Sequence, residues 1–296
     1  MNHPILRAAN CQHSWMAILN LSKDSFSGDG RDRESFLRRL DELAQTEVNI
    51  VDFGAVSTKP GSPEIDFATE WGLIEPVLDD LLSFKKRAAQ NGKRVTLSLD
   101  TSSPRIAAAV CERIPLDCIN DIYAGQKIAS GLTTFDVASR SNTSVVVMHM
   151  QNTPANMQLA PTYTNCVKEV ADFLCKRAAQ ALQKDVKNVI VDPGIGFGKS
   201  LADNLELLQR ESLEYIKNEI NRTLGKTLPL LVGLSRKRFI LELCRKDFPN
   251  DQEKIEFLEK PQNRDLESKI WEYKCIEWGA EIIRTHKMPC EVRDGT

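Results

Sequence analysis

Asn188-Val189-Ile190-Val191-Asp192-Pro193-Gly194, followed at once by Ile195-Gly196-Phe197-Gly198-Lys199-Ser200, is the stretch on which the fold turns. Its first half is a short β-branched run without polar alternation, the pattern of a parallel strand covered on both faces. The run ends on an acid, a proline and a glycine, so polar chemistry stands where the strand stops. The glycines that follow imitate a phosphate loop. A P-loop needs four residues between its glycines, which would put a glycine at 193, where the chain has Pro193, and the G-x-G-x-x-G spacing is missing as well. The segment reads instead as a tight loop that lets Phe197 overhang whatever the strand end faces.

Outward from this stretch the same unit recurs. Eight apolar runs end in polar residues: Trp15–Leu21, Val48–Ala55, Val95–Thr101, Cys118–Tyr123, Ser144–Met150, Asn188–Gly194, Leu228–Ser235 and Glu281–His286. Between them Glu64–Gln90, Thr164–Lys184 and Leu201–Leu224 carry apolar positions at three- and four-residue spacing, the signature of one-sided helices. Ser103-Pro104 reads as an N-cap followed by proline at the first helical position, and Asn91-Gly92 as a helix terminator. Alternating strands and helices imply parallel pairing through right-handed crossovers. Eight strands suit a single-domain (β/α)8 TIM barrel over residues 1–296. A doubly wound sheet would need a glycine-rich turn after its first strand, and Asn20-Leu21-Ser22-Lys23 is not one. Cys244–Asp265, highly charged and holding Pro249 and Pro261, predicts a short irregular insertion before a helix over Leu266–Trp278. Ten residues follow His286, so the eighth helix is expected to be shortened.

Whole-chain properties exclude several classes. Lys and Arg number 39 against 41 acids, a formal charge of -2, which gives no footprint for nucleic acid or an anionic membrane. No apolar run reaches the roughly 20 residues of a bilayer span, and the first residues lack a signal-peptide core, so the cytoplasm is the expected compartment. Eight scattered cysteines without a C-x-x-C pair read as reduced thiols.

Barrel active sites lie at the C-terminal ends of the strands, which converts the strand list into a site expectation. Those ends supply Asn20, Asp52-Phe53-Gly54, Asp100-Thr101, Asn120-Asp121, His149, Asp192, Ser235-Arg236-Lys237 and Arg284-Thr285-His286. Carboxylates, an amide and a lysine converging on one mouth suit a flat heterocycle with alternating donors and acceptors. Lys237 can donate to a ring carbonyl or nitrogen. Arg284 can stack its guanidinium on an aromatic ligand while facing an anion. His286, two residues on, has the same phase, and with Arg284 would suit a phosphate. Asn20 offers a neutral oxygen to a hard cation such as Mg2+. Met148-His149-Met150 is not a metal site, because alternate strand residues point to opposite faces.

These stretches, taken in order, resemble the dihydropteroate synthase family. Ile18-Leu19-Asn20 with Asp24-Ser25-Phe26-Ser27 looks like that family's first flexible loop, and Asp52-Phe53-Gly54 with Ser57-Thr58-Lys59-Pro60-Gly61 like its second. Ser98-Leu99-Asp100-Thr101, Ile119-Asn120-Asp121, Met148-His149-Met150-Gln151, Asp192–Gly198, Ser235-Arg236-Lys237 and Arg284-Thr285-His286 are similar to its other motifs. The resemblance implies long mobile loops after strands 1 and 2, a homodimer, and condensation of a hydroxymethyl-dihydropterin pyrophosphate with p-aminobenzoate. It implies that Asp100, Asn120, Asp192 and Lys237 hold the pterin, with Arg284 stacking on it. Asn20, Arg284 and His286 would hold the pyrophosphate with Mg2+ at Asn20, and Asp100, Lys237, Arg284 and His286 would carry the chemistry. Phe26, Thr58, Lys59, Pro60, Phe197 and Arg238 would enclose p-aminobenzoate.

The loops depart from the family pattern. Arg238 stands where the family commonly has serine, Lys59 where it has arginine, and Ala55-Val56 where it has Gly-Glu. A guanidinium at 238 could grip the p-aminobenzoate carboxylate through two parallel bonds, or instead fill the pocket or bind a different, more acidic co-substrate. Two alternatives stay open: a pterin-binding paralogue that does not make dihydropteroate, and a barrel that moves a methyl group from a folate to a corrinoid. The second does not need the pyrophosphate grip of Arg284 and His286.

Overall fold

A computed structural model describes residues 5–6, 13–21, 31–55, 65–153, 157 and 161–292, with 31 and 32 by their backbone only. Eight strands run β1 (Ser14–Asn20), β2 (Ile50–Gly54), β3 (Thr96–Asp100), β4 (Cys118–Asp121), β5 (Ser144–Met148), β6 (Val189–Asp192), β7 (Leu231–Gly233) and β8 (Ile282–Thr285). All pair in parallel in the order β6-β5-β4-β3-β2-β1-β8-β7. The ring is closed between β6 and β7 by a single parallel bridge, Val191 to Leu230, with the Val191 N–H donating to the Pro229 carbonyl at 3.0 Å. The expected (β/α)8 barrel is the observed one. The two expected long loops after β1 and β2 lie outside the described residues.

Two apolar layers form for the reason parallel strands require: both faces are buried. Inside, Met16, Ile50, Cys118, Val146, Ile190, Leu231 and Ile282 fill the N-terminal half of the barrel, and Ile5 joins them. Outside, residues such as Val51, Leu97, Ile119, Val147 and Val191 meet the helices. Truncating one such side chain to alanine costs about 2–5 kcal/mol, because the space cannot close.

The helices are α1 (Arg31–Ala44), α2 (Phe67–Ile74), α3 (Leu78–Gln90), α4 (Pro104–Arg113), α5 (Thr134–Ser141), α6 (Cys166–Gln183), α7 (Leu201–Leu207), α8 (Arg210–Leu224), α9 (Arg238–Asp247), α10 (Gln252–Glu259) and α11 (Asp265–Glu277). Ser103 caps α4 by accepting from the Ile106 N–H, and Asn91 ends α3 before left-handed Gly92. Two expected helices are interrupted. Pro76 lacks an N–H, and a 3-10 turn over Glu75–Val77 separates α2 from α3. Leu208 leaves the helix at ψ 52° and Gln209 opens α8 from extended backbone.

The expected irregular insertion is a correction. Residues 244–265 contain α10 and a 3-10 turn, Pro261–Arg264, held by a small core of Leu241, Cys244, Ile255 and Leu258. Apart from buried Arg264, its charges lie mostly toward solvent and masked that core. After β8 the described chain holds only a 3-10 turn, Pro289–Glu291, in place of an eighth helix. Among the described residues no helix is long and apolar enough to cross a membrane.

Candidate active site

At the C-terminal mouth the inward residues of four strands meet around Arg284. Its Nε donates to Asp52 Oδ2 and its Nη2 to Asp100 Oδ2, both at 2.6 Å. Asn120 Nδ2 donates to the same Asp52 oxygen at 3.0 Å. Strand register produces this grouping, since Asp100 lies opposite Asn120 and Asp52 is one strand over. Burial pushes the Asp100 carboxyl up to about 7, with Arg284 opposing the rise and Asp52 adding to it. Burial works against the Arg284 charge as well, but Asp52 and Asp100 outweigh it and raise its pKa.

A second group faces this one across the mouth. Asp192, at the end of β6, accepts the Gly194 N–H at 2.7 Å; burial raises its carboxyl, with Lys237 opposing. Lys237 donates to the Ile195 carbonyl, and its ammonium sits 4.4 Å from the centre of the Phe197 ring. Burial drops Lys237 to about 7, with Asp192 opposing. Phe197 packs against Ile122, Met148, Met150 and Met157, an apolar wall beside the polar groups. A flat ring could lie on this wall with its polar edge toward Asp100, Asn120, Asp192 and Lys237.

The loop that carries Phe197 is built around Lys199, which sequence reasoning took only as part of a false phosphate loop. Lys199 Nζ is buried, donates to the carbonyls of Gly194 at 2.9 Å and Phe197 at 3.0 Å, and lies 2.9 Å from His149 Nδ1. Burial brings Lys199 to about 7. Gly194 is obligatory here, because at φ 67° its Cβ would lie 1.9 Å from the His149 carbonyl oxygen. His149 packs edge-on against Phe173, while Met148 and Met150 join the mouth cluster, as strand alternation requires.

His286 follows β8, and its Nδ1 lies 3.1 Å from Ser235 Oγ. Between Ser235 and Lys237, Arg236 is left-handed at φ 61°. It is held by the end of the segment the sequence left irregular and by the helix that follows: Asp265 pairs its guanidinium at 2.7 and 2.8 Å, Arg264 donates to its carbonyl, and Ser268 Oγ in α11 accepts its N–H. Asn20 ends β1 exposed. Arg238 opens α9, and its exposed guanidinium bonds Glu242 one turn on, at 3.2 Å. Phe26, Thr58, Lys59 and Pro60 lie outside the described residues. Asp52 had a visible signal, a strand-end acid in phase with Gly54, but sequence reasoning assigned it no role.

The profile described as "Pterin binding enzyme" matches residues 16–286 of this chain. The dihydropteroate synthase of Haemophilus influenzae is 31% identical over 275 residues, covering 92% of this chain and 87% of that protein. The Yersinia pestis dihydropteroate synthase, solved with a sulfonamide drug complex, superposes with a TM-score of 0.76 at 29% identity, over 96% of this chain and 94% of its own. The Xanthomonas albilineans dihydropteroate synthase, solved with 4-aminobenzoic acid, gives a TM-score of 0.73 at 30% identity, over 93% and 88%.

Proposed function

The chain belongs to the dihydropteroate synthase family of pterin-binding enzymes and is a transferase of folate synthesis; from that premise we propose how its barrel mouth divides the work. Asp100, Asn120, Asp192 and Lys237 hold the pterin edge, and Arg284 stacks on the ring. Arg284, His286 and Asn20 hold the pyrophosphate. The bond from the pterin methylene to the pyrophosphate oxygen breaks, and the electron pair leaves with pyrophosphate. Arg284 and His286 stabilise that charge, and the Asp100 carboxylate stabilises the cationic pterin left behind. The amine of p-aminobenzoate then forms the new C–N bond and releases a proton. The observation that carries this division is the single guanidinium of Arg284 shared between Asp52 and Asp100.

Asn20 is the residue that would hold Mg2+. One exposed neutral oxygen at a strand end suits an ion that takes its other ligands from phosphate and water, and when bound it supplies positive charge at the pyrophosphate. Phe197 and Arg238, with Phe26, Thr58, Lys59 and Pro60, would enclose p-aminobenzoate, and a sulfonamide would compete there. Arg238 must leave Glu242 to reach the carboxylate, so Arg238→Ser is expected to raise the KM for p-aminobenzoate; improved binding would count against that grip. The reading includes a cytoplasmic homodimer. Five of the seven exposed large hydrophobics among the described residues, Phe248, Phe257, Leu266, Ile270 and Tyr273, fall within residues 248–273, which supports a subunit face there. The deciding assay is pyrophosphate release from the pterin pyrophosphate with and without p-aminobenzoate. Tight pterin binding with no turnover would favour the binding-only paralogue, and methyl transfer to a corrinoid the third reading.

A further inference from the structure

Asp52 has no substrate role in the division above, yet its side chain is the most enclosed charged group of the mouth, at 0% exposure. One of its oxygens, Oδ2, accepts from both Arg284 Nε and Asn120 Nδ2. Its other oxygen is buried and has no hydrogen-bond partner among the described residues, so nothing there pulls against the Oδ2 contacts. Arg284 meanwhile places Nη2 on Asp100, the very carboxylate that must face the pterin. The two contacts differ in kind. Nε is fixed at the root of the guanidinium plane, whereas Nη2 is at its tip and sweeps the larger arc when the side chain turns.

We propose that Asp52 is a positioning residue for the reaction: it anchors Arg284 by Nε and Asn120 by its amide, while Arg284 Nη2 exchanges Asp100 for the incoming pyrophosphate and so frees Asp100 for the pterin. This rests on the dihydropteroate synthase reading. It explains why one guanidinium carries two carboxylates. One is held throughout, and the other is released when the leaving group takes its place. Asp100 is faced by Arg284 from β8, Asp52 from β2, Asp121 from β4 and Glu70 from α2. Asp52 adds to the rise of the Asp100 carboxyl, so removing its charge lowers that carboxyl.

The test is Asp52→Asn in the full chain, with steady-state kinetics across pH. Loss of a charge-assisted anchor is expected to raise the KM for the pterin pyrophosphate about tenfold or more, and to leave the KM for p-aminobenzoate within about twofold. The acidic limb of kcat/KM should move to lower pH by about one unit. A uniform fall in kcat, with both KM values and the acidic limb unmoved, overturns the proposal. A wild-type assay that yields no dihydropteroate defeats the function reading instead. The anchor is then judged on the wild-type chain, as it is if Asp52→Asn does not fold, by the exchange protection of the Arg284 Nε–H in NMR. Protection kept when inorganic pyrophosphate is added supports the anchor, and protection lost on that addition overturns it.

Discussion

Replacing Asp100 by asparagine is expected to make the protein more stable and less active at the same time. Asp100 ends β3 at 7% exposure, and burial lifts its carboxyl from 3.8 to about 7. A carboxyl whose pKa is raised by folding contributes stability that is complete below its unfolded value and is lost as pH climbs to the folded value. The loss therefore falls between about pH 4 and pH 7, and a rise of about 3 units corresponds to at most ~4 kcal/mol. Asparagine imitates the neutral carboxyl: it keeps an oxygen for Arg284 Nη2, and Arg284 keeps Asp52. Urea denaturation should show Asp100→Asn matching wild type near pH 4 and exceeding it by up to ~4 kcal/mol at pH 8. Turnover at pH 8 should fall by about 100-fold or more, because a neutral amide cannot stabilise a developing pterin cation. A variant whose stability tracks wild type at every pH, or whose kcat is unchanged, would refute the assignment of Asp100.

Three further outcomes follow from the geometry. Gly54→Ala would place a Cβ 2.5 Å from the Asp100 carbonyl oxygen and 2.9 Å from its Cβ; since both strands are backbone-paired, thermal denaturation should show a loss of about 1–3 kcal/mol or more, with weakened pterin binding. Lys199→Met removes a donor from the Gly194 carbonyl, which keeps the Phe197 N–H, and from the half-buried Phe197 carbonyl; a loss of about 1–3 kcal/mol is expected, with a raised KM for p-aminobenzoate as Phe197 loosens. Arg236→Ala keeps the left-handed backbone but loses the Asp265 pair. It should lower kcat/KM as Ser235 and Lys237 drift, and Arg236→Gly should recover the part of the stability, about 1–2 kcal/mol, that left-handed strain costs.

Much of the barrel was legible because parallel strands buried on both faces must be apolar along their whole length, and all eight such runs became strands. The same rule located Asp100, Asn120, Asp192 and Arg284, since a polar group at a barrel strand end has few other uses. Helix continuity was less legible. Apolar spacing runs unbroken through Pro76 and Leu208, where the backbone does not. The α10 segment was missed because its small core of four residues is diluted by charge.

The chain's sequence alone determined the strand order of its chemistry: which residues end which strand, and which of them share an inward phase. Both follow from local periodicity, which acts over a few residues. Only the tertiary structure decided who touches whom. Asp52 and Arg284 are 232 residues apart in sequence, and their 2.6 Å contact exists because β2, β1 and β8 are neighbours in a closed ring. The Asp100 shift was likewise out of reach, because it arises from burial and from charges on three other strands and one helix. Nothing in the sequence marked Lys199 or Arg264 as enclosed; packing buries both, and their donors find backbone carbonyls. Periodicity is a property of the chain; burial and pairing are properties of the fold.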